Sequence, residues 1–352
     1  MAYRATLKDV AAAAGVSVTT VSLVLNNRPA RVSEEKRKAI ADAAKKLNYV
    51  PNQSARSLVT KQSQLVALIV PDIENLFFAA LAKCVEDECA AQGYSLIVAN
   101  SDDSRVTEHE LLQRLPARGV DGVMLIPARE SCAGDAAERL REDVALVSCP
   151  VVLIDRLTQC GWCDAVGFDN YLGGRLAARY LLEGGHTRIG IVTGDIAESS
   201  AAERRRGFVD AIEQSGKHFD SSLCVEGDYR FDSGYRAANQ IIDGGATAVF
   251  CCNDVMALGF RQRMAERGLR VTEDMQVIGY DNILKRFGLG WRMTTVEQSV
   301  ADLAAACWGM LRERIDVAVR AKSGTESGDA RPWLSNPQVE VLTPKLVQAA
   351  CA

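Results

Sequence analysis

The sequence lacks the features that mark a membrane or secreted protein. It contains no run of roughly 18 consecutive apolar residues, the length that a transmembrane helix needs. Its N-terminus has no basic segment followed by an apolar run and a small-residue cleavage site, so it does not resemble a secretory signal. We therefore expect a cytoplasmic protein with no membrane partner.

The sequence also lacks the motifs of common enzyme classes. No Gly-x-Gly-x-x-Gly follows the first apolar segment, and neither a Gly-Lys-Ser/Thr phosphate loop nor a Gly-x-Ser-x-Gly elbow is present. Histidine is scarce, and the three residues, His109, His186 and His218, do not lie near a second ligand type at metal-binding spacing. We expect no enzyme activity, no catalytic residue, no metal and no cofactor.

Cysteine, in contrast, is plentiful. An odd total of 11 scattered cysteines favours reduced core residues over a disulfide framework. One pair, Cys160 and Cys163, has the Cys-x-x-Cys spacing of a thiol redox site. That spacing leaves a redox function open as an alternative, although the pair does not stand at a helix start after a strand.

Charge is distributed unevenly along the 352 residues. The whole chain has a net charge of −4, yet residues 1–62 hold 11 Lys/Arg against 4 Asp/Glu, a net charge of +7. The remaining residues hold 30 basic and 41 acidic side chains, a net charge of −11. A basic N-terminal segment on an acidic protein is typical of a polyanion-binding region.

The basic segment has the pattern of a helix-turn-helix. Thr6 and Asp9 predict the start of a first helix, and Gly15 predicts its left-handed end. Ser17 then predicts the cap of a second helix, which buries Val21 and exposes Val18, Thr19, Ser22 and Leu23. A third helix is predicted after Ser33. A short segment beginning at Pro51 follows, with one Arg and one exposed Leu.

After residue 64 the sequence alternates between apolar strands and amphipathic helices. The strands are continuous apolar runs, as in parallel sheets that are covered on both faces. About ten such units suit two α/β lobes rather than one sheet. The clearest predicted strands are Leu65–Val70, Ser95–Ala99, Gly122–Ile126, Val151–Ile154, Arg188–Val192, Ala248–Cys252 and Gln276–Tyr280.

Six ordered motifs give the chain a resemblance to a known family. They are Leu7-Lys8-Asp9-Val10-Ala11 with Ala14-Gly15-Val16-Ser17, Thr20-Val21-Ser22, Tyr49-Val50-Pro51-Asn52, Ala55-Arg56-Ser57-Leu58, Asn253-Asp254-Val255-Met256-Ala257-Leu258-Gly259, and Gly279-Tyr280-Asp281-Asn282. The chain resembles the LacI/GalR family of bacterial transcription repressors over essentially its whole length. The resemblance implies an all-α helix-turn-helix head joined to a two-lobed α/β body like that of periplasmic binding proteins, with parallel sheets flanked by helices.

The expected domains follow from that resemblance. They are a DNA-binding domain at 1–50, a hinge helix and linker at 51–63, an N-terminal subdomain formed by 64–164 with 293–325, and a C-terminal subdomain formed by 165–292 with 326–345.

The resemblance also assigns DNA contacts. It implies base reading in the major groove by Val18, Thr19 and Leu23, and phosphate contacts by Ser17, Thr20, Ser22 and Asn26. Because Val18 and Leu23 cannot donate hydrogen bonds, we expect them to contact thymine methyl groups or to read groove shape. The alternative is that both residues only pack in the core of the head.

The hinge segment is too short to be a stable helix in water by itself. The resemblance implies that two copies fold together over the minor groove, with Leu58 wedged into a base step. The implied minor-groove residues are Asn52, Ala55, Arg56 and Leu58. The alternative is a linker helix without a DNA contact. The expected macromolecular partners are near-palindromic double-stranded operator DNA and a second copy of the chain.

Polar residues at strand ends match the effector positions of the family. The implied effector-binding set is Phe78, Asp155, Ser200, Arg204, Tyr229, Asn253, Asp281 and Gln298. Carboxylates, amides and guanidinium groups bind neighbouring hydroxyls in pairs, and aromatic rings suit the C–H face of a sugar. Glu198 replaces the basic residue that nucleobase-sensing relatives often carry there, which also favours a sugar. We therefore expect a repressor of carbohydrate uptake or catabolism genes.

Two alternatives remain open at this point. The first is a regulator that responds to a nucleobase, since a purine can also stack on an aromatic wall. The second is an α/β ligand-binding or catalytic module that the DNA-binding head merely localises.

Overall fold

The computed structural model describes residues 5–25, 29, 31–49, 62–132, 134–157, 161–197, 199–289, 293–322 and 331–349. Its internal contacts divide the chain into one unit at Met1–Ser63 and a second at Gln64–Ala352. The predicted minor-groove residues Asn52, Ala55, Arg56 and Leu58 lie outside the described residues, as does Asn26.

The first unit is a three-helix head. Its helices are α1 (Leu7–Ala14), α2 (Val18–Leu25) and α3 (Glu34–Lys46). Asp9 accepts a hydrogen bond from the backbone of Thr6 at 2.8 Å, and Gly15 ends α1 in the left-handed conformation. The core of the head consists of Val10, Ala11, Val21, Val24, Ile40 and Ala43. The predicted helices and their caps are confirmed here.

The second unit contains two six-stranded sheets. The first sheet has the order β11-β5-β4-β3-β1-β2, and its strands are β1 (Leu65–Val70), β2 (Ser95–Asn100), β3 (Gly122–Leu125), β4 (Val151–Ile154), β5 (Asp164–Phe168) and β11 (Val339–Leu342). The second has the order β12-β10-β9-β8-β6-β7, and its strands are β6 (Ile189–Thr193), β7 (Cys224–Glu226), β8 (Ala248–Cys251), β9 (Gln276–Asp281), β10 (Thr295–Glu297) and β12 (Lys345–Val347). All pairings are parallel except that of β10 with β12.

Helices cover the sheets. They are α4 (Leu76–Ala91), α5 (Arg105–Ala117), α6 (Gly134–Leu146), α7 (Asn170–Glu183), α8 (Ser199–Gln214), α9 (Phe231–Asp243), α10 (Asp254–Glu266) and α11 (Val300–Lys322). The long α11 packs on α4 and on strands of the first sheet, where the buried Trp308 meets the ring of Tyr94 at 5.2 Å. The expected α/β architecture with covered parallel sheets is confirmed.

The strand pairings correct the expected lobe boundaries. The first segment of the first lobe was expected to end at 164. However, β5 pairs with β4, so the first lobe continues to Phe168. Most of the segment 293–325, expected in the first lobe, is α11, which does pack on that lobe, but β10 pairs with β9 of the second sheet. The segment 326–345 was expected in the second lobe, but β11 pairs with β5 of the first. These strands are short, and the sheet that each one joins is decided by pairing rather than by its own sequence.

No single helix of the described residues is long and apolar enough to cross a membrane, while α1 and α2, bent by 102°, satisfy length and composition limits only as a pair.

Candidate functional site

A pocket lies where the carboxyl ends of strands from the two sheets meet, as is usual for ligand sites in α/β folds. It is lined by Asn75, Phe77, Phe78, Asp155, Arg156, Arg204, Tyr229, Asn253, Asp281 and Gln298. Seven of the eight residues predicted for effector binding are in this set, all except Ser200, so the structure brings the predicted residues together from seven separate segments.

Three of the lining residues have a strained backbone. The φ angles of Asp155, Tyr229 and Asp281 are 64°, 63° and 95°, in the left-handed region that non-glycine residues rarely adopt. Each such residue costs on the order of 1–3 kcal/mol and persists only where the surrounding structure imposes it. Clustering of this strain in one pocket is typical of a binding site.

Arg204 is the central polar residue of the pocket. Its Nε donates to Asn170 Oδ1 at 2.7 Å, and its terminal nitrogens donate to the Cys252 carbonyl at 2.8 Å and to Gln298 Oε1 at 3.0 Å. Its guanidinium also lies 4.0 Å from the centre of the Tyr280 ring. Arg204 is therefore held in one orientation before any ligand arrives.

The pKa of Arg204 is shifted upward. Burial by itself lowers that pKa, but neighbouring groups more than offset the desolvation. The groups that raise it are Tyr280, Tyr229, Asp281 and Asp155. The guanidinium therefore stays charged in the buried pocket and can donate to ligand oxygens.

Asn170 was missed by the sequence analysis. Its Oδ1 accepts from Arg204, and also from the Tyr280 hydroxyl and Gln298 Nε2 at 3.3 Å each. Asn170 is the first residue of α7, next to the cap residue Asp169. Asn170 could have been identified from its position, because it directly follows a capping Asp at the end of a strand.

Arg156 was also missed. It is buried, and one terminal nitrogen donates to Asp103 at 2.6 Å and to the Pro127 carbonyl at 2.9 Å. It directly follows the predicted Asp155, so adjacency to that strand end could have identified it. Asn75 and Phe77 complete the lining, with Asn75 Oδ1 accepting from the Phe77 backbone at 2.9 Å.

Asn253 shapes the pocket through the chain around it. Its Oδ1 accepts from the Met256 backbone at 2.8 Å and caps α10, while its Nδ2 donates to the Tyr229 carbonyl at 2.8 Å. Asn253 therefore holds the Tyr229 segment against α10.

Ser200 lines a second pocket that shares Asp155 with the first. Ser200 is only 2% exposed, and its hydroxyl has no hydrogen-bond partner among the described residues. A buried hydroxyl without a partner is uncommon in folded proteins. The neighbouring Ser199 hydroxyl is likewise unsatisfied within the described part of the chain.

Ion pairs join the two lobes beside the first pocket. Arg230, next to Tyr229, pairs with Asp72 at 2.8 Å and Glu74 at 3.1 Å. Arg129 pairs with Asp195 at 3.3 Å. These pairs are partly exposed, so each adds little to stability, but they connect lobes that the pocket separates.

The helix-turn-helix presents α2 to solvent. Val18 is 40% exposed, Thr19 is exposed and Leu23 is partly exposed, so the base-reading candidates lie outside the core of the head. The Ser17 hydroxyl accepts from the Thr20 backbone at 3.1 Å and lies 2.8 Å from the Thr20 hydroxyl. Ser17 therefore caps α2, and Ser22 is partly exposed on the same helix.

Of the Cys-x-x-Cys pair, Cys160 lies outside the described residues. Cys163 is buried, and its Sγ lies 3.4 Å from the Val151 carbonyl. Glu198 also lies outside the described residues. Within the described part of the chain, no three His, Cys, Asp or Glu residues are placed to hold a metal ion.

Together, a helix-turn-helix head with an exposed second helix and a body with a pocket between its two lobes define a ligand-responsive transcription regulator. Two family models match the chain: "Bacterial regulatory proteins, lacI family" over residues 6–52, and "Periplasmic binding proteins and sugar binding domain of LacI family" over residues 63–310. The chain belongs to the lacI family, and it is a DNA-binding transcriptional repressor of that family.

Several known proteins are similar to the chain. The HTH-type transcriptional repressor PurR of Pasteurella multocida is 37% identical over 314 residues, which cover 89% of this chain and 92% of PurR. The transcriptional regulator CelR in complex with cellobiose is 29% identical with a TM-score of 0.65, over 99% of this chain and 100% of CelR. The Lac repressor dimer bound to operator and the anti-inducer ONPF is 24% identical with a TM-score of 0.80, over 99% and 100% respectively, and supports the fold.

Proposed function

We propose that this repressor is controlled by a sugar that binds in the pocket between the two lobes, and that it represses genes of carbohydrate uptake or catabolism. The observation that carries the proposal is the composition of the pocket. Two carboxylates, two guanidinium groups and three amides line the pocket together with three aromatic rings, which is the mixture of polar and aromatic groups that small-molecule sites use.

A sugar matches that composition. Its hydroxyls can donate to Asp155 and Asp281 and accept from Arg204, so these three groups find complementary partners. The rings of Phe78 and Tyr229 suit the apolar C–H face of a pyranose or furanose. The similar CelR is described in complex with cellobiose, whereas the name PurR identifies no sugar.

The proposed DNA complex contains two copies of the chain on a near-palindromic operator. Val18, Thr19 and Leu23 contact base edges, while Ser17, Thr20, Ser22 and Asn26 contact phosphates. The exposure of Val18 and Thr19 supports this role. The minor-groove set Asn52, Ala55, Arg56 and Leu58 forms the hinge that effector binding controls.

A nucleobase is the second candidate effector. The flat faces of Phe78 and Tyr229 favour it, because they can also stack a purine, and the carboxylates can accept from ring N–H groups. A catalytic body localised by the head is a weaker alternative, because the similar proteins named here are transcription regulators or repressors.

Melting curves of the full chain with a panel of pentoses, hexoses and nucleobases test the proposal. A ligand that binds only the folded state raises the melting temperature, by mass action. We expect a sugar to raise the melting temperature. We expect Arg204→Lys to abolish most of this shift, because the single nitrogen of a Lys side chain cannot reach the three acceptors that surround the planar guanidinium.

An exposed arginine provides the matched control for that substitution. Arg114 lies on α5 with a side chain that is 58% exposed, so Arg114→Lys should leave the shift unchanged. A shift with nucleobases but with no sugar would replace the first candidate by the second.

A further inference from the structure

The charges at the first pocket do not favour an anion. The charged lining residues are Asp155, Arg156, Arg204 and Asp281, two of each sign. Just outside the lining, Asp103 is hydrogen-bonded to Arg156 at 2.6 Å and pairs with Arg129 at 3.9 Å, which adds one charge of each sign. The pocket therefore has no net positive charge.

Neither guanidinium is placed to bind a phosphate in the usual two-pronged way. Arg156 is already paired with Asp103. Arg204 has a protein acceptor at each of its three nitrogens, namely Asn170, the Cys252 carbonyl and Gln298. Every edge of the Arg204 fork is thus partly used, which leaves single donors for hydroxyl or carbonyl oxygens.

The second pocket is also unfavourable for an anionic group of a ligand. Its charged lining residues are Asp155, Asp169 and Glu203, and its described lining contains no Lys or Arg. The nearby Arg206 is paired with Glu203, with its Nε 3.1 Å from Oε1.

The N-terminus of α8, with Ser199 and Ser200, does favour an anion. Its dipole is equivalent to only about half a positive charge, however, whereas Asp155 and Asp169 each carry a full negative charge in the same pocket. The hydroxyls of Ser199 and Ser200 are equally suited to the hydroxyls of a neutral ligand.

We propose that the effector is a neutral molecule without a phosphate or carboxylate group, which under the proposed function is an unphosphorylated sugar, and that the acidic residues of the two pockets exclude its phosphate esters. This inference rests on the proposed function of the pocket as the effector site. It names the effector class more narrowly, because it excludes sugar phosphates, sugar acids and nucleotides.

The experiment compares each neutral compound with its own phosphate ester. Calorimetric titration of the full chain uses D-ribose with D-ribose 5-phosphate, D-glucose with D-glucose 6-phosphate, and adenosine with adenosine monophosphate. In any pair that binds, we expect the phosphate ester to bind at least about tenfold more weakly, because like charges meet across the contact.

Asp155→Asn tests the cause. Asparagine tolerates the left-handed backbone at this position, and the substitution removes one negative charge shared by both pockets. For a neutral compound that binds, we expect the substitution to reduce the ratio of its affinity to that of its phosphate ester. Asp135→Asn makes the same charge change at an exposed position of α6 and should leave that ratio unchanged.

The outcomes separate the two proposals. If a phosphate ester binds as tightly as its parent sugar, the neutral-effector inference is wrong while the sugar-responsive function stands. If adenosine binds and neither its monophosphate nor any sugar does, the neutral-effector inference stands and the sugar proposal is wrong. If Asp155→Asn leaves the ratio of a binding pair unchanged, or if no compound binds, the inference is overturned.

Discussion

At the scale of single residues, sequence and structure agree best where a polar residue follows a strand. Asp155, Asn253 and Asp281 were predictable because the carboxyl ends of parallel strands meet at one edge. Asn170 and Arg156 were not identified, since their importance depends on partners that are distant in sequence, Arg204 for one and Asp103 for the other. A single sequence contains no record of such pairings.

Glu108 was not singled out from the sequence either, yet it is a buried residue of α5 in the first lobe. It accepts hydrogen bonds from the Ala128 backbone and the Ser131 hydroxyl, both at 2.5 Å. Burial raises the pKa of Glu108 to about 7, although those two hydrogen bonds lower it. The segment that Glu108 holds includes Arg129, which pairs with the other lobe.

The raised pKa of Glu108 predicts a pH-dependent stability. Because its pKa is higher in the folded state than in the unfolded chain, its contribution is present below pH 4.5 and is lost as the pH rises through about 7. Glu108→Gln removes this dependence. We expect the unfolding free energy of the wild type, minus that of Glu108→Gln, to fall by on the order of 3 kcal/mol between about pH 4 and pH 8.

Denaturant unfolding across that pH range measures the difference, and the subtraction cancels other titrating groups such as Asp254, whose pKa is raised to about 6 by burial. Glu110→Gln, on the exposed side of the same helix, is the control and should show no such trend. A pH-independent difference for Glu108→Gln would contradict its raised pKa.

At the scale of elements, the apolar runs identified the central strands well. Leu65–Val70 and Val151–Ile154 form strands with the predicted bounds. The short strands Asp164–Phe168, Thr295–Glu297 and Lys345–Val347 were missed, because three to five residues carry too little periodicity. Only pairing with neighbouring strands places these segments in a sheet, which explains the errors in the lobe boundaries.

The close packing of α7 on α8 determines where Arg204 and Asn170 meet. A Cβ at Gly174 would lie 2.0 Å from the Arg204 carbonyl, and one at Gly207 would lie 1.9 Å from the Tyr171 carbonyl. Both obstacles are backbone atoms, so they cannot move without separating the helices. The two glycines allow the approach that brings the pocket side chains together.

Gly174→Ala should therefore destabilise the body by roughly 1–3 kcal/mol and weaken effector binding, because overpacking moves Arg204 away from Asn170. Urea unfolding and ligand-induced melting shifts measure the two effects. Gly309→Ala, in α11 with no atom within 4 Å of the added Cβ, is the matched control. It should stabilise the chain by about 0.5–1 kcal/mol. Equal behaviour of the two variants would show that helix packing does not position Arg204.

At the scale of the whole molecule, charge separates the two functions. The basic head, with a net charge of +7 over residues 1–62, suits DNA, and the acidic remainder does not. DNA affinity should therefore fall steeply with salt concentration, whereas binding of a neutral ligand in a buried pocket should change little. The uneven charge distribution was sufficient to predict which part of the chain binds DNA, because a charge count requires no knowledge of residue contacts.

The coupling between the two functions is the central claim, and one titration tests it. Fluorescence anisotropy measures the affinity of the full chain for a double-stranded site selected from random DNA, with and without a saturating concentration of the sugar that raises its melting temperature. We predict a change in DNA affinity of roughly 5- to 150-fold, with the same factor appearing in the sugar affinity when DNA is bound. An unchanged DNA affinity with the pocket fully occupied would contradict the account.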